Sequence, residues 1–164
     1  MSDSPGEQLT QHLRDVHALE EQSLRQLERA VELAEDDELQ ALYKEHLEET
    51  HEHEQSIKER LEAHELEPSA VKDLTMRAGA IGLRQLADVP PDTAIKLAMH
   101  FYAFEHLEIA AYEFLARIAR DSDDGETADV AERILEQERR AAEKIAGTFD
   151  RSAELCMRAQ KQEA

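Results

Sequence analysis

The sequence predicts an all-α fold, a four-helix bundle of two helical hairpins with a short-helix crossover between the second and third helices. Three observations carry this. Glu, Leu, Ala, Arg and Gln are abundant while aromatic residues make up only 4%, a composition rich in helix formers and poor in strand-forming runs. Apolar residues recur at alternating steps of three and four over four separate stretches, the spacing that lines one helix face. Between those stretches lie Glu35-Asp36-Asp37, Pro90-Pro91-Asp92 and Asp121-Ser122-Asp123-Asp124-Gly125, residues that cap helices and build turns. A chain of 164 residues is expected to form one domain, 1–164, with a substantial core.

The first helix is expected over about residues 7 to 34, on the stripe Leu9, Leu13, Val16, Leu24, Leu27, Val31 and Ala34, with Glu20 filling the gap after Val16. The acidic run at 35–37 supplies an N-cap for a second helix over about 37 to 65, striped by Leu42, His46, Glu49, His53, Ile57 and Leu61. Residues 66 to 91 carry Leu74, Met76, Ile81, Leu83 and Leu86, interrupted by Gly79 and Gly82, and read as a crossover of one or two short helices. Asp92 then caps a third helix over about 93 to 120, whose stripe is Ala98, Phe101, Glu105, Glu108, Tyr112, Leu115 and Ala119. Beyond the turn, Ala131, Ile134, Glu138, Ala141, Ile145 and Phe149 stripe a fourth helix over about 126 to 157. The remaining tail is polar and expected to fray.

Each stripe places at least one glutamate where a core residue belongs. An isolated buried carboxylate costs at least several kcal/mol, against a folding stability of roughly 5 to 15 kcal/mol, so something must neutralise these groups. Folding the first hairpin about residues 34 to 35 puts Glu20 and Glu49 at one level. Folding the second about residue 123 does the same for Glu108 and Glu138, with Glu105 one helical turn away. The central layers of these stripes contain no Lys or Arg. Two divalent cations would cancel most of the charge. Carboxylates with one or two imidazoles suit a di-iron or di-manganese centre, because hard oxygen ligands bridge two ions and tolerate a change in oxidation state. The expected metal ligands are Glu20, Glu49, Glu105, Glu108 and Glu138, completed by His53, four residues after Glu49, or by His46, three before it. His51 falls on the outward stripe with Lys44, Glu48, Gln55 and Lys58, although a one-residue change of phase would bring it in. His106 sits beside its stripe. His12, His17, His64 and His100 read as surface or edge positions, Tyr102 and Tyr112 as core aromatics, and Tyr112 is one turn from Glu108 and able to hydrogen-bond a ligand.

The net charge of −19, from 38 acids and 19 bases, repels a phosphate backbone and excludes nucleic acid as an expected partner. The same acidic surface suits a very saline cytoplasm, where hydrated carboxylates maintain solubility. No apolar run approaches the ~20 residues of a membrane helix, and the start Met-Ser-Asp-Ser-Pro-Gly-Glu lacks the basic and apolar regions of a signal peptide. A cytoplasmic protein without membrane contact is expected. The single Cys156 allows no internal disulfide and no thiolate cluster.

The stretch from Gln40 to His51, together with Glu105-His106-Leu107-Glu108-Ile109-Ala110-Ala111-Tyr112 and Leu135-Glu136-Gln137-Glu138-Arg139, resembles the YciF-like stress-protein family of the ferritin-like superfamily. The resemblance covers roughly residues 7 to 150. It implies a ferritin-like helical bundle, usually dimeric, associated with stress responses. Glu105 and Glu108 also resemble the Glu-x-x-Glu pair on the third helix of rubrerythrins, and Glu138 the glutamate on their fourth. This chain differs in carrying Ala141 where those proteins have a histidine three residues after that glutamate, and with one cysteine no rubredoxin-like domain is expected within residues 1–164.

The expected function is a di-metal carboxylate protein, with two iron ions or another divalent metal such as manganese, reacting with oxygen or peroxide. The rival is a non-enzymatic stress-related bundle with a degenerate or empty site. An iron-storing cage is a weaker third. The apolar residues of the crossover exceed what a solvated connection needs, which predicts a homodimer.

Overall fold

In each hairpin a short acidic turn reverses the chain, and the two hairpins pack side by side. The computed structural model describes residues 5–66 and 93–163. Its helices are α1 (Pro5–Leu33), α2 (Asp37–Ala63), α3 (Thr93–Asp121), α4 (Gly125–Ala146) and α5 (Phe149–Glu163). Among the described residues there is no strand. α1 packs on α2, α3 packs on α4, and α1 against α3 joins the pairs. The expected crossover at 66–91, the cap at Asp92 and the interface expected of Leu74 to Leu86 lie outside the described residues apart from Leu66.

Two aspartates start helices, each with its side chain accepting a hydrogen bond from a backbone N–H three residues on, as an N-cap does. Asp36 accepts from Leu39 at 3.2 Å and Asp124 from Thr127 at 3.0 Å. Arg60 near the end of α2 reaches Glu126 at 2.5 Å and Asp124 at 3.3 Å, and His64 reaches Asp124 at 2.7 Å. These contacts fix the end of α2 against the start of α4, and so set the heights at which their central residues meet.

The fourth helix expected over 126 to 157 is divided. α4 ends at Ala146, and after Gly147 and Thr148 the chain continues as α5. The Thr148 hydroxyl donates to the Ile145 carbonyl at 2.7 Å, so it competes with the helix ladder, while the Thr148 carbonyl accepts from the Ser152 N–H and starts the next helix. A Cβ at position 147 would stand 3.2 Å from the Lys144 carbonyl, a close approach that glycine allows. α5 then packs on α3, burying Ser152 and Cys156, and Phe149 is exposed rather than in the stripe of α4. The polar tail is helical as far as Glu163.

The apolar interior falls into two clusters. One contains Leu9, Leu13, Val16, Ile57, Leu61, Leu115, Ala131 and Ile134. The other contains Leu27, Ala30, Leu39, Tyr43, Leu97, Phe101 and Ile145. In all four bundle helices buried polar residues lie between the two clusters, and there the candidate site lies.

Candidate metal centre

Four helices each bring a polar side chain into that middle layer. On α1 it is Glu20, on α2 His46 and His53, on α3 Glu105 and Glu108, and on α4 Glu138, each no more than 4% exposed. No Lys or Arg is among the buried residues described. One donor atom from each of His46, Glu105, Glu108 and Glu138 lies within 4.8 Å of the others, and the same holds for Glu20, His53 and Glu138. Glu138 is common to both groups.

The distances within the groups are short, and two of them, His53 with Glu138 and His46 with Glu105, are within ion-pair reach without hydrogen-bond alignment. His53 Nδ1 is 2.8 Å from Glu138 Oε1 and 3.9 Å from Glu20 Oε2, and His46 Nε2 is 3.1 Å from Glu105 Oε2 and 3.8 Å from Glu138 Oε2. None of these atoms has a partner in hydrogen-bonding alignment, nor has either oxygen of Glu105, Glu108 or Glu138. Buried polar groups are ordinarily hydrogen-bonded, and one left unmatched costs roughly 1–3 kcal/mol or more when charged. A layer of converging donor atoms, most of them without an aligned hydrogen bond, fits a cation as their common partner. One pairing is made: the Tyr112 hydroxyl donates to Glu20 Oε1, leaving Oε2 free to face His53.

Burial is the main electrostatic influence. It pushes the Glu20 carboxyl up to about 8 and Glu138 up to about 7, both opposed by the nearby His53. Glu108 is held well above the ordinary range by burial and by the charges of Glu138, Glu20 and Glu105. Burial alone would lower the imidazoles. Instead Glu105 raises His46 well above its usual value, and Glu138 with Glu20 raises His53. Without a cation the layer therefore holds protons that ligands must release on metal binding.

Of the positions expected to bind metal, Glu20, His46, His53, Glu105, Glu108 and Glu138 fall within the two groups, while Glu49 stands outside both. Glu49 is 29% exposed, with one oxygen 3.4 Å from His46 Nδ1 and the other 3.9 Å from Lys144 Nζ. The cause is helix phase. The buried face of α2 runs Leu39, Tyr43, His46, Thr50, His53, Ile57, Leu61, so Thr50 occupies the step taken by Glu49 in the expected stripe, about 100° around the helix. The Thr50 hydroxyl donates to the His46 carbonyl at 2.9 Å, which satisfies it locally and lets a polar residue sit inward. His46 and His53 flank Thr50 on that face, so both imidazoles, left as alternatives by spacing alone, point into the layer. His51 is exposed.

Among the other histidines His17 departs from expectation, while His100 is half-buried as an edge position is. His17 is 3% exposed and lies 2.9 Å from Glu54 across the first hairpin, and His100 Nε2 lies 2.8 Å from Gln26 Oε1. Tyr102 is on the surface, 5.3 Å from the ring of Phe149, whereas Tyr112 is in the core. Sequence reasoning missed the buried Ser23 and Gln26 on α1. They lie three and six residues after Glu20, and a polar stripe continuing from a buried glutamate was the available signal.

A family profile described as Domain of unknown function (DUF892) matches residues 4–156. Among solved structures, a protein of Xanthomonas campestris pv. campestris is similar at 24% identity with a TM-score of 0.80, over 96% of this chain and 98% of that one. The Escherichia coli stress protein YciF is similar at 21% identity with a TM-score of 0.83, over 93% and 99%. A dodecameric thioferritin, the bacterioferritin-related protein of Bacteroides fragilis, is similar at 20% identity with a TM-score of 0.74, over 91% and 88%. These likenesses place the fold among ferritin-like bundles.

Proposed function

We propose that this chain, which belongs to the DUF892 family, is a di-metal carboxylate protein whose middle layer holds two divalent ions, iron or the similarly hard manganese. The observation that carries this reading is the set of buried, converging donor atoms without hydrogen-bonding partners. The four buried glutamates carry up to four negative charges when ionised, which two divalent cations balance. Glu138, common to both groups, is suited to bridge. His46, Glu105 and Glu108 would serve one ion, Glu20 and His53 the other. The Tyr112 hydrogen bond holds Glu20 with Oε2 turned inward, as an outer partner orients a ligand.

Ferrous ions, when bound, would supply electrons to oxygen or peroxide. The chain's own part is to exclude bulk water with the apolar clusters on either side and to accept or release protons at Glu20 and Glu138. The name of the E. coli relative supports a stress-related role. Self-association as a homodimer is part of the proposal, supported by the exposed Met99, Leu107 and Phe114 along α3. Light scattering that finds a monomer at every salt concentration would remove that part.

Titration of chelator-stripped protein with ferrous iron under anaerobic conditions tests the centre. Two ions per chain are expected, followed by peroxide consumption faster than that of free iron. Stable folding with no ion taken up would favour the rival, a stress-related bundle without a metal.

A further inference from the structure

Glu49 lies between the surface and the donor groups, and its neighbours form a graded series. In a cleft between α2 and α4, side-chain exposure falls from 59% at Glu45 through 29% at Glu49 to 5% at His46 and 0% at Glu105 and Glu138. Lys144 on α4, 40% exposed, places its ammonium 3.1 Å from Glu45 and 3.9 Å from Glu49. The other oxygen of Glu49 faces His46 Nδ1 at 3.4 Å, while His46 Nε2 faces Glu105 at 3.1 Å. The cleft leaves about 10 Å³ in which the centre of a water molecule can sit, roughly the room one water needs. His46, buried at the inner end of the cleft, turns Nε2, which has no aligned hydrogen bond, to the donor group of Glu105, Glu108 and Glu138, so its imidazole joins the cleft to that group.

We propose that Glu45, Glu49 and His46 form the path by which a divalent cation enters the buried layer, with the Lys144 ammonium as the counterion that closes its mouth. The proposal rests on the metal-centre reading. A hydrated cation sheds water only as other oxygen ligands replace it, and Glu45 and Glu49, four residues apart on one helix face, supply such ligands in succession. The ammonium competes for the same oxygens, but a doubly charged ion displaces it. His46 then has one nitrogen toward the path and the other toward the donor groups, and at the cleft Lys144 is the cation an entering ion must pass.

The test follows cobalt(II) uptake by chelator-stripped protein in a stopped-flow instrument, with the final cobalt content measured separately. Lys144→Gln should load several-fold faster and Glu45→Gln several-fold slower than wild type, with final content unchanged. Lys161→Gln, the same charge change on α5, should load at the wild-type rate. All three variants matching wild type would overturn the entry path alone, as would Lys161→Gln accelerating uptake as much as Lys144→Gln, because net charge would then be the cause. Wild-type protein that takes up no cobalt would overturn the metal-centre reading and the path with it.

Discussion

Leu13, Phe101 and Glu108 are equally buried, none more than 1% exposed, but they belong to layers of opposite chemistry. At the two ends of the bundle, aliphatic and aromatic side chains interlock, and removing them from water is what stabilises the fold. In the middle, carboxylates and imidazoles are packed as closely, but most of their polar atoms have no aligned hydrogen bond. Burial there works against the isolated chain. The ends stabilise a middle layer whose burial is unfavourable without a neutralising partner, so the same fraction of exposure signals stability in one place and marks the proposed metal centre in the other.

The largest expected effect is in an end layer. Phe101, fully buried and 5.1 Å from the ring of Tyr43, should cost about 3–5 kcal/mol when replaced by Ala, measured by urea unfolding. A loss below about 1 kcal/mol would mean that the end layers are not what holds the bundle.

Next in size is a pH effect confined to the middle layer. Glu20 and Glu138 are raised in the folded protein from 4.5 to about 8 and about 7, so between those limits the folded state binds protons that the unfolded state has released. The raised His46 and His53 act in the same direction, their contribution present below about 6.5 and lost as pH rises through their folded values. Stability of the chelator-treated protein should therefore fall from pH 5 to pH 8. Cobalt-loaded protein should not follow, because binding requires the deprotonated ligands and stabilises the folded state. Parallel melting curves with and without cobalt across this range would contradict the comparison. Asp124, lowered to about 2, contributes above the unfolded value near 3.8 and is lost only as pH falls toward 2, outside the window.

Glu108→Gln should abolish stoichiometric metal binding while leaving chelator-treated protein at pH 8 at least as stable as wild type, since a neutral side chain replaces one that resists ionisation. Elemental analysis and melting on the same sample check both halves. The smallest change is expected from Tyr112→Phe, which removes the hydrogen bond to Glu20 and little volume. It should cost about 1–3 kcal/mol of stability and weaken metal affinity without changing stoichiometry, read by competition with a chromophoric chelator.

Much of the end layers was legible in the sequence because apolar periodicity is redundant. Several residues on α3, from Ala98 to Ala119, agree on one phase, and every member of that expected stripe is buried. Glu105 and Glu108 are buried with it. On α2 a step of three or of four after His46 reaches Glu49 or Thr50, and both are polar, so composition does not choose. The His46 carbonyl does, by accepting the threonine hydroxyl. The division after Ala146 was similarly hidden, since apolar residues continue through Ile145 and Phe149 in register while the break depends on one hydroxyl and one close backbone approach.

What the sequence determined by itself was the existence of four amphipathic stretches, the acidic turn within each hairpin and the glutamates on the inner faces of α1, α3 and α4, because these follow from local propensity, capping and periods of three and four. What only the tertiary structure decided was which side chains share a layer. The inward placement of both His46 and His53, the position of Glu49 at the rim beside Lys144, and the place of Glu138 in both donor groups all depend on how far each helix is rotated about its axis. One residue turns a helix by about 100°, enough to move a side chain from the core to the surface, and that angle is set by contacts between helices distant in the chain.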